Sequence, residues 1–301
     1  MKISVDFGAV EGKGYFGTKI FAVNFKKAAE RYDKKNKYLF YDFKTVKPRI
    51  FWSQFGLSLA EWKNKPDVFL ALNQSIPFYT HAKIISFCHG LSYYFFPRYY
   101  SKKDKKRLNH QLDQMIKRSD IIVVSSVKVK NELEEINKSV YKKNLKILVI
   151  PFGIPFDVLE FKKKEKIKEK FFLVVANNQP IKNINFSIKA FLKLNKIEKF
   201  KNYFLYVITN SVYGLIKGDN IRFFVNNPRE KLINFYSQTQ ALLTASFYES
   251  FNFPVIETLA FGNPVIALES AVIPEVYPYV NTAKDEKEFI AYLKSPKIKP
   301  D

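Results

Sequence analysis

The sequence contains few of the residues that build metal centres or covalent crosslinks. Its 301 residues include one cysteine and three histidines. A single cysteine excludes an internal disulfide, and so few ligands exclude a zinc cluster of ordinary spacing. Scarce cysteine is typical of a reducing compartment. A zinc site is therefore not expected; our overall expectation is a protein that needs neither a metal nor an organic cofactor.

Long hydrophobic runs are also missing. No apolar stretch approaches the ~18 residues that cross a bilayer, and the N-terminal MKISVDFGAV has the pattern of a first strand, not of a signal peptide. The G-x-S-x-G motif of serine hydrolases and the Walker A loop are absent as well. We expect a soluble protein in the cytoplasm, with peripheral attachment at the inner face of a membrane as the alternative.

Negative charge is scarce beside positive charge. Lysine and arginine number 50 against 28 acidic residues, and the net charge is +22. One interpretation is attraction to phosphate in nucleic acid, at an anionic membrane surface or on a phosphorylated substrate. The other is codon usage, because Lys, Asn, Ile, Phe and Tyr are all abundant and all have AT-rich codons. Both interpretations stay open at this point.

Strand-like and helix-like segments alternate along the whole chain. Short apolar runs at 2–7, 121–125 and 171–175 indicate buried strands, and amphipathic segments such as 105–117 and 185–194 indicate helices. This alternation predicts an α/β fold whose parallel sheets are covered on both faces.

The length of the chain favours two such units. The lysine-rich stretch 161–170 is typical of a linker or an edge helix, and the strand–helix pattern restarts after it. The sequence therefore predicts two Rossmann-like domains, 1–158 and 159–301, facing across a cleft with a hinge near residues 155–165. Ligands of such folds bind at the carboxyl ends of the strands.

The richest motif is ASFYESFNFPVIETLAFGNPVIA at 245–267. Glu249 and Glu257 are eight residues apart. Pro254 suits a helix start, and Gly262 suits its end. Glu249 is therefore expected on a loop at a strand end, and Glu257 on the first turn of the next helix. Free amides between them would bind an anion such as a diphosphate.

This segment resembles the E-x7-E signature of the retaining glycosyltransferases of family 4, also called glycosyl transferases group 1, which have the GT-B fold. The resemblance implies that Glu249 orients the donor sugar and that Glu257 binds the donor ribose. Ser250 and Asn252 replace the two glycines of the family's E-G-F-G, with Phe251 between them. These three residues are expected to line the donor site.

A second match to the family is Lys182-Asn183, which follows a predicted strand and precedes a helix. In the family this lysine contacts the donor diphosphate, so the resemblance gives Lys182 that role. Asn183 is expected beside it. Many members have an arginine five positions earlier, where this sequence has Asn177.

The first half of the chain resembles the family's acceptor domain. The matching residues are His89-Gly90-Leu91, Pro97-Arg98-Tyr99 and the segments 119–125 and 150–153. The family histidine lies near the reacting sugar, so the resemblance implies a catalytic His89, with Arg98 on the acceptor side. Gly90 stands where the family usually has aspartate.

A glycine-rich loop follows the first predicted strand. Gly12, Gly14 and Gly17 fit G-x-G-x-x-G, and Asp42 ends the next strand, as in dinucleotide-binding folds. In the resembled family a loop at this place contacts the acceptor or the donor phosphate, which implies roles for Gly12, Gly14 and Tyr15. The loop by itself also fits a nicotinamide-dependent oxidoreductase.

The resemblance implies a retaining enzyme that moves a hexose of the mannose or glucose type. The donor would be a nucleotide-diphosphate sugar, and the acceptor a glycan or a lipid-linked sugar. The sequence lacks the D-x-D pair of metal-dependent glycosyltransferases. An NAD-dependent oxidoreductase and a basic nucleic-acid-binding protein are the alternatives, although we expect no nucleic-acid partner. Basic residues at 102–118 beside aromatic residues at 93–100 indicate an anionic membrane surface as a further partner.

Overall fold

A computed structural model describes residues 1–11, 17–49, 51–162 and 166–298. The chain divides into two compact units, Met1–Phe152 and Gly153–Asp301. The boundary predicted between residues 158 and 159 falls within a short helix, Phe156–Leu159. Asp157 in this helix is bonded to Arg229 of the second unit, and this contact attaches the helix to that unit.

The first unit is built on a parallel sheet. In its described part the strand order is β2-β1-β3-β4-β5-β6. The strands are β1 (Lys2–Asp6), β2 (Lys37–Tyr41), β3 (Val68–Ala71), β4 (Lys83–Cys88), β5 (Ile121–Val124) and β6 (Ile147–Val149). The helices are α1 (Gly17–Tyr32), α2 (Leu57–Asn64), α3 (Ser92–Phe95), α4 (Lys102–Arg118) and α5 (Val127–Ile136).

The second unit repeats this architecture with its own parallel sheet, ordered β12-β11-β10-β7-β8-β9. The strands are β7 (Lys170–Val175), β8 (Tyr203–Thr209), β9 (Ile221–Val225), β10 (Leu242–Thr244), β11 (Val265–Leu268) and β12 (Asn281–Ala283). The helices are α6 (Phe156–Leu159), α7 (Ile184–Asn195), α8 (Arg229–Tyr236), α9 (Phe253–Leu259) and α10 (Glu286–Lys294).

Both sheets are buried on both faces, and strand alternation explains how. In β7, Phe172 and Val174 pack with α7 and α10 on one face, whereas Phe171 and Leu173 pack with α8 on the other. Such strands are apolar at every position, because helices cover both sides. The prediction of two Rossmann-like α/β domains is confirmed, and the cleft between them stays a prediction.

Two regions contain elements that the sequence pattern did not predict. Residues 57–64 form α2, which the sequence did not reveal because its apolar residues occupy both faces of the helix. The tail after Val280 contains β12 and α10, and Phe289 and Leu293 of α10 are buried in the core. Among the described residues, no helix has the length and apolar character needed to cross a bilayer.

Candidate functional site

A lysine and a glutamate meet at the carboxyl edge of the second sheet. Lys182 ends a 3-10 turn that follows β7, and Glu249 lies in the loop that follows β10. These strands are neighbours, so their following loops lie side by side, and the Phe247 amide donates to the Ile181 carbonyl at 2.9 Å. The Lys182 ammonium is 2.8 Å from Glu249 Oε1. The structure therefore brings together two of the predicted residues.

Two asparagines hold the loops around this pair in left-handed backbone conformations. Asn183 has φ 48° and Asn252 has φ 67°. Their side-chain amides donate to the carbonyls of Ala245 and Ala271, each at 3.2 Å. Asparagine tolerates this backbone region better than other residues with a β-carbon. Asn252 thus holds a left-handed conformation at the start of α9, one that glycine adopts without strain.

The other predicted donor residues lie on the same loops. Phe251 is buried and packs edge-on against Phe253, with ring centroids 5.2 Å apart, while Ser250 is half-buried. Asn177 follows β7 and is half-buried, but its Oδ1 is fully enclosed and has no hydrogen-bond partner in the described structure. A buried acceptor without a donor is costly, and the donor-binding role expected of Asn177 stays a prediction.

Glu257 is held by an arginine that the sequence analysis did not single out. It lies on the second turn of α9, not the first as expected, because the helix starts at Phe253. Its side chain is 1% exposed, and Arg229 Nη2 donates to its Oε1 at 2.6 Å. Arg229 also binds Asp157 through Nε at 2.9 Å and Nη2 at 3.1 Å.

Charge balance at this buried group depends on the arginine. Burial raises the pKa of Glu257, and the Arg229 guanidinium opposes that shift. The two carboxylates raise the pKa of Arg229 above its ordinary value although burial acts against its charge. The buried Tyr236 hydroxyl lies beside the same carboxylate and also opposes the rise in its pKa. Glu257 is thus a buried acid held by Arg229 and Tyr236, and its role in binding the donor ribose stays a prediction.

In the first unit, His89 directly follows β4, at the carboxyl edge of that sheet. Its Nε2 donates to the Leu72 carbonyl at 2.5 Å. Its ring contacts Phe21 and Phe152, with centroids 5.4 and 5.6 Å away. Burial lowers the pKa of His89, so a neutral imidazole with its proton on Nε2 is expected at pH 7.

The other residues predicted for a site in the first unit are of two kinds: Gly90 and Arg98 are described, whereas the glycine-rich loop is not. Gly90 has φ 126°, a conformation that the family's aspartate would adopt only with strain. Arg98 is exposed, and its guanidinium lies over the ring of its neighbour Tyr99, 4.9 Å from the centroid. Gly12, Gly14 and Tyr15 fall outside the described residues. The roles assigned to all of these residues stay predictions.

One further buried carboxyl group lies at the carboxyl end of β1. Asp6 Oδ1 accepts from the Gly8 amide at 3.1 Å and from Trp52 Nε1 at 3.3 Å. Burial raises the pKa of Asp6 to about 6. No motif in the sequence singled out Asp6, Asp157 or Arg229. Each is an isolated charged residue in the sequence, and only its contacts in the folded protein mark it as part of a site.

Comparison with known proteins finds a family match in the second half of the chain. Residues 156–278 match the family model described as glycosyl transferases group 1. O-antigen chain mannosyltransferase RfbU of Salmonella typhimurium is 30% identical over 151 residues, which cover 46% of this chain and 41% of RfbU. The chain therefore matches about two fifths of that curated relative.

Solved structures match nearly the whole chain at low identity. Sucrose-phosphate synthase from Thermosynechococcus elongatus has a TM-score of 0.68 at 16% identity, over 98% of this chain and 89% of the synthase. An E. coli trehalose-6-phosphate structure with bound UDP-2-fluoro glucose has a TM-score of 0.67 at 10% identity, over 98% and 91%. At these identities the likeness is one of fold.

The two Rossmann-like units and these neighbours define a protein of the GT-B fold class. Within that class, residues 156–278 match the glycosyl transferases group 1. The family resemblance seen in the E-x7-E segment is confirmed at this level, and membership of family 4 in particular stays a prediction.

Proposed function

We propose that this protein is a retaining glycosyltransferase of family 4. It transfers a hexose of the mannose or glucose type from a nucleotide-diphosphate sugar to a glycan or a lipid-linked acceptor. The observation that carries the proposal is the 2.8 Å pair of Lys182 and Glu249, on loops adjoining the helix that holds Glu257. The match of residues 156–278 to the glycosyl transferases group 1 supports it.

Lys182 would act on the leaving group. As the bond between the anomeric carbon and the phosphate oxygen breaks, negative charge builds on the departing diphosphate. A cation already placed beside that oxygen stabilises the transition state more than the ground state. Glu249 accepts from the lysine and holds it in place until the donor binds. The lysine side chain is 24% exposed, so a diphosphate can reach it.

The two glutamates would bind different parts of the donor. Glu257 accepts from a ribose hydroxyl, and Glu249 orients the donor sugar. The acceptor oxygen bonds to the anomeric carbon on the face that the phosphate leaves, and the departing phosphate takes the acceptor proton. Neutral His89 contacts the sugar or the acceptor. No metal is needed in this scheme, because Lys182 supplies the positive charge.

The first test is a thermal-shift panel of UDP-, GDP- and ADP-sugars. A donor at a hundred times its Kd would stabilise the protein by about 2.7 kcal/mol. Parallel samples with NAD(H) and with RNA test the two alternatives. Stabilisation by NAD(H) without any sugar nucleotide would favour an oxidoreductase, and salt-sensitive RNA binding without donor hydrolysis would favour a nucleic-acid-binding protein.

The second test is kinetic and compares Lys182→Ala with Glu257→Ala. We expect Lys182→Ala to lower turnover by about 10²–10³, because one transition-state donor is lost. Glu257→Ala is expected mainly to raise the donor KM, because the ribose contact is equal in ground and transition states. Steady-state kinetics with one accepted donor separate the two effects.

Lys189→Ala is the matched control, since this lysine is exposed on α7 and lies outside the site. Lys189→Ala should leave both the turnover number and the donor KM unchanged. If Lys182→Ala keeps turnover within about twofold of the wild-type value, Lys182 does not neutralise the leaving group.

A further inference from the structure

Four large apolar side chains form a stripe on the surface of the first domain. A π-helical turn, Trp52–Gly56, leads directly into α2. The spacing of four, four and three residues along this segment places the four side chains on one face. Their exposed fractions are 64% for Phe51, 60% for Phe55, 54% for Leu59 and 62% for Trp62. We call these four residues the apolar stripe.

The opposite face of the same segment is fixed in the domain. Leu57 and Ala60 belong to the buried core, and the buried Glu61 accepts from Thr80 at 2.5 Å. A β-carbon on Gly56 would lie 2.6 Å from the carbonyl oxygen of Pro48, so only glycine permits this close approach. The segment cannot turn its apolar stripe inward without giving up these contacts.

A neighbouring loop widens the apolar surface. The Phe78 amide donates to the Ser53 carbonyl at 2.9 Å, and the Tyr79 amide donates to Ser58 Oγ at 3.1 Å. Phe78 is 77% exposed. Six large side chains thus share one region of surface, and a contiguous exposed apolar patch is typical of an interaction site.

The exposed charges within residues 43–66, the stretch that carries the apolar stripe, have one sign. Among the described residues of 43–66, the sole acidic residue is Glu61, which is buried. The basic residues of that stretch are all exposed: Lys44, Lys47, Arg49, Lys63 and Lys65. Exposed Trp, Phe and Leu beside lysines are the composition of helices that lie in a bilayer interface, and anionic headgroups attract such a basic border.

We propose that the apolar stripe, together with Phe78, Tyr79 and the basic residues of 43–66, is a docking surface for an anionic phospholipid bilayer. The rings enter the boundary between headgroups and acyl chains, and the lysines pair with lipid phosphates. Bilayer binding stands independently of catalysis. Its use in presenting a lipid-linked acceptor rests on the proposed function.

This surface differs from the one that the sequence indicated. Of the aromatic residues at 93–100, Tyr93 is buried, and Phe95 and Tyr100 pack against the core. Lys102 and Lys103 at the start of α4 are exposed, but of the six aromatic residues expected beside them only Tyr94 is among the exposed ones, at 39%. The two lysines therefore serve as a control for charge alone.

Co-sedimentation with vesicles tests the proposal. The wild-type protein should bind vesicles of phosphatidylcholine with phosphatidylglycerol more tightly than vesicles of phosphatidylcholine alone. Phe55→Ser with Trp62→Ser should weaken binding to the mixed vesicles by on the order of a hundredfold, roughly tenfold for each partly inserted ring. Tyr213→Ser, at a residue that is 89% exposed in the second unit, should change nothing. Unchanged thermal midpoints check that the variants fold.

Two further variants separate insertion from charge attraction. Lys63→Gln with Lys65→Gln should weaken binding by at least fivefold, and Lys102→Gln with Lys103→Gln should have little effect. Trp62 is one of two tryptophans, and the other, Trp52, is bonded to Asp6. The tryptophan fluorescence of the wild-type protein should therefore shift to the blue when vesicles are added. This shift should vanish in Trp62→Phe, whereas that variant should still co-sediment with the vesicles.

Three results would overturn the proposal. The first is equal binding to both vesicle types, and the second is loss of vesicle binding in Lys102→Gln with Lys103→Gln but not in Lys63→Gln with Lys65→Gln. The third is dimerisation without lipid that Phe55→Ser with Trp62→Ser abolishes. The last result would assign the surface to a second copy of the chain. Failure of every sugar nucleotide in the thermal-shift panel, with vesicle binding intact, would remove the proposed function and leave the bilayer surface standing.

Discussion

The pair of Arg229 and Glu257 allows a sharp test of how the second domain is held together. The perturbation is Arg229→Met, which keeps most of the side-chain volume and removes the charge. In the folded protein, Arg229 Nη2 lies 2.6 Å from Glu257 Oε1, and the two side chains are 9% and 1% exposed. The variant leaves a buried carboxylate without its cation.

The expected loss of unfolding free energy is about 3–5 kcal/mol, the usual cost of breaking a buried ion pair from one side. Asp157 adds little to this cost, because its side chain is 37% exposed and regains water. The double variant Arg229→Met with Glu257→Gln removes both buried charges. It should recover most of the loss, since a neutral amide is far cheaper to bury than an unpaired carboxylate.

The assay is urea unfolding followed by circular dichroism, with the midpoint compared at constant slope. Arg222→Met is the matched control, because Arg222 forms a more exposed pair with Glu169 at 2.6 Å. Exposed ion pairs contribute at most about 1 kcal/mol to the free energy of unfolding. If Arg229→Met costs no more than Arg222→Met, or if the double variant is no more stable than Arg229→Met alone, the buried pair does not have the role assigned to it.

Two further predictions concern single positions. Burial raises the pKa of Asp6 from 3.8 to about 6, so between these values the folded state keeps a proton that the unfolded chain loses. The contribution of Asp6 to the free energy of unfolding should therefore fall by about 3 kcal/mol between about pH 4 and pH 6 and then level off. Asp6→Asn should remove this slope in urea midpoints measured across that range, and an unchanged slope would show that Asp6 does not titrate in the fold. Asn252→Ala should be less stable than Asn252→Gly by about 1–2 kcal/mol, since both lose the amide contacts but only alanine is strained at φ 67°. Equal thermal midpoints for the two variants would contradict that reasoning.

Local pattern was enough to predict most of the fold. Strands such as β5 and β7 match the apolar runs predicted at 121–125 and 171–175 to within one residue, and α7 extends one residue beyond each end of the predicted segment 185–194. The weakly patterned elements escaped prediction. In α2 the exposed Leu59 and Trp62 oppose the buried Leu57 and Ala60, so the pattern has no polar face from which a helix could be inferred.

The sequence by itself determined the residues of the E-x7-E segment and the pairing of Lys182-Asn183 with a strand end, because each motif is local in the chain. It could not determine what surrounds Glu257. Arg229 is 28 residues away and Asp157 is 72 residues from Arg229, and only the packing of α6 and α8 near α9 brings the three together. The same holds for the apolar stripe. Aromatic residues occur both at 51–62 and at 93–100, and the sequence pattern does not distinguish the two groups. Only the tertiary structure determines which of these side chains are buried in the core and which are exposed.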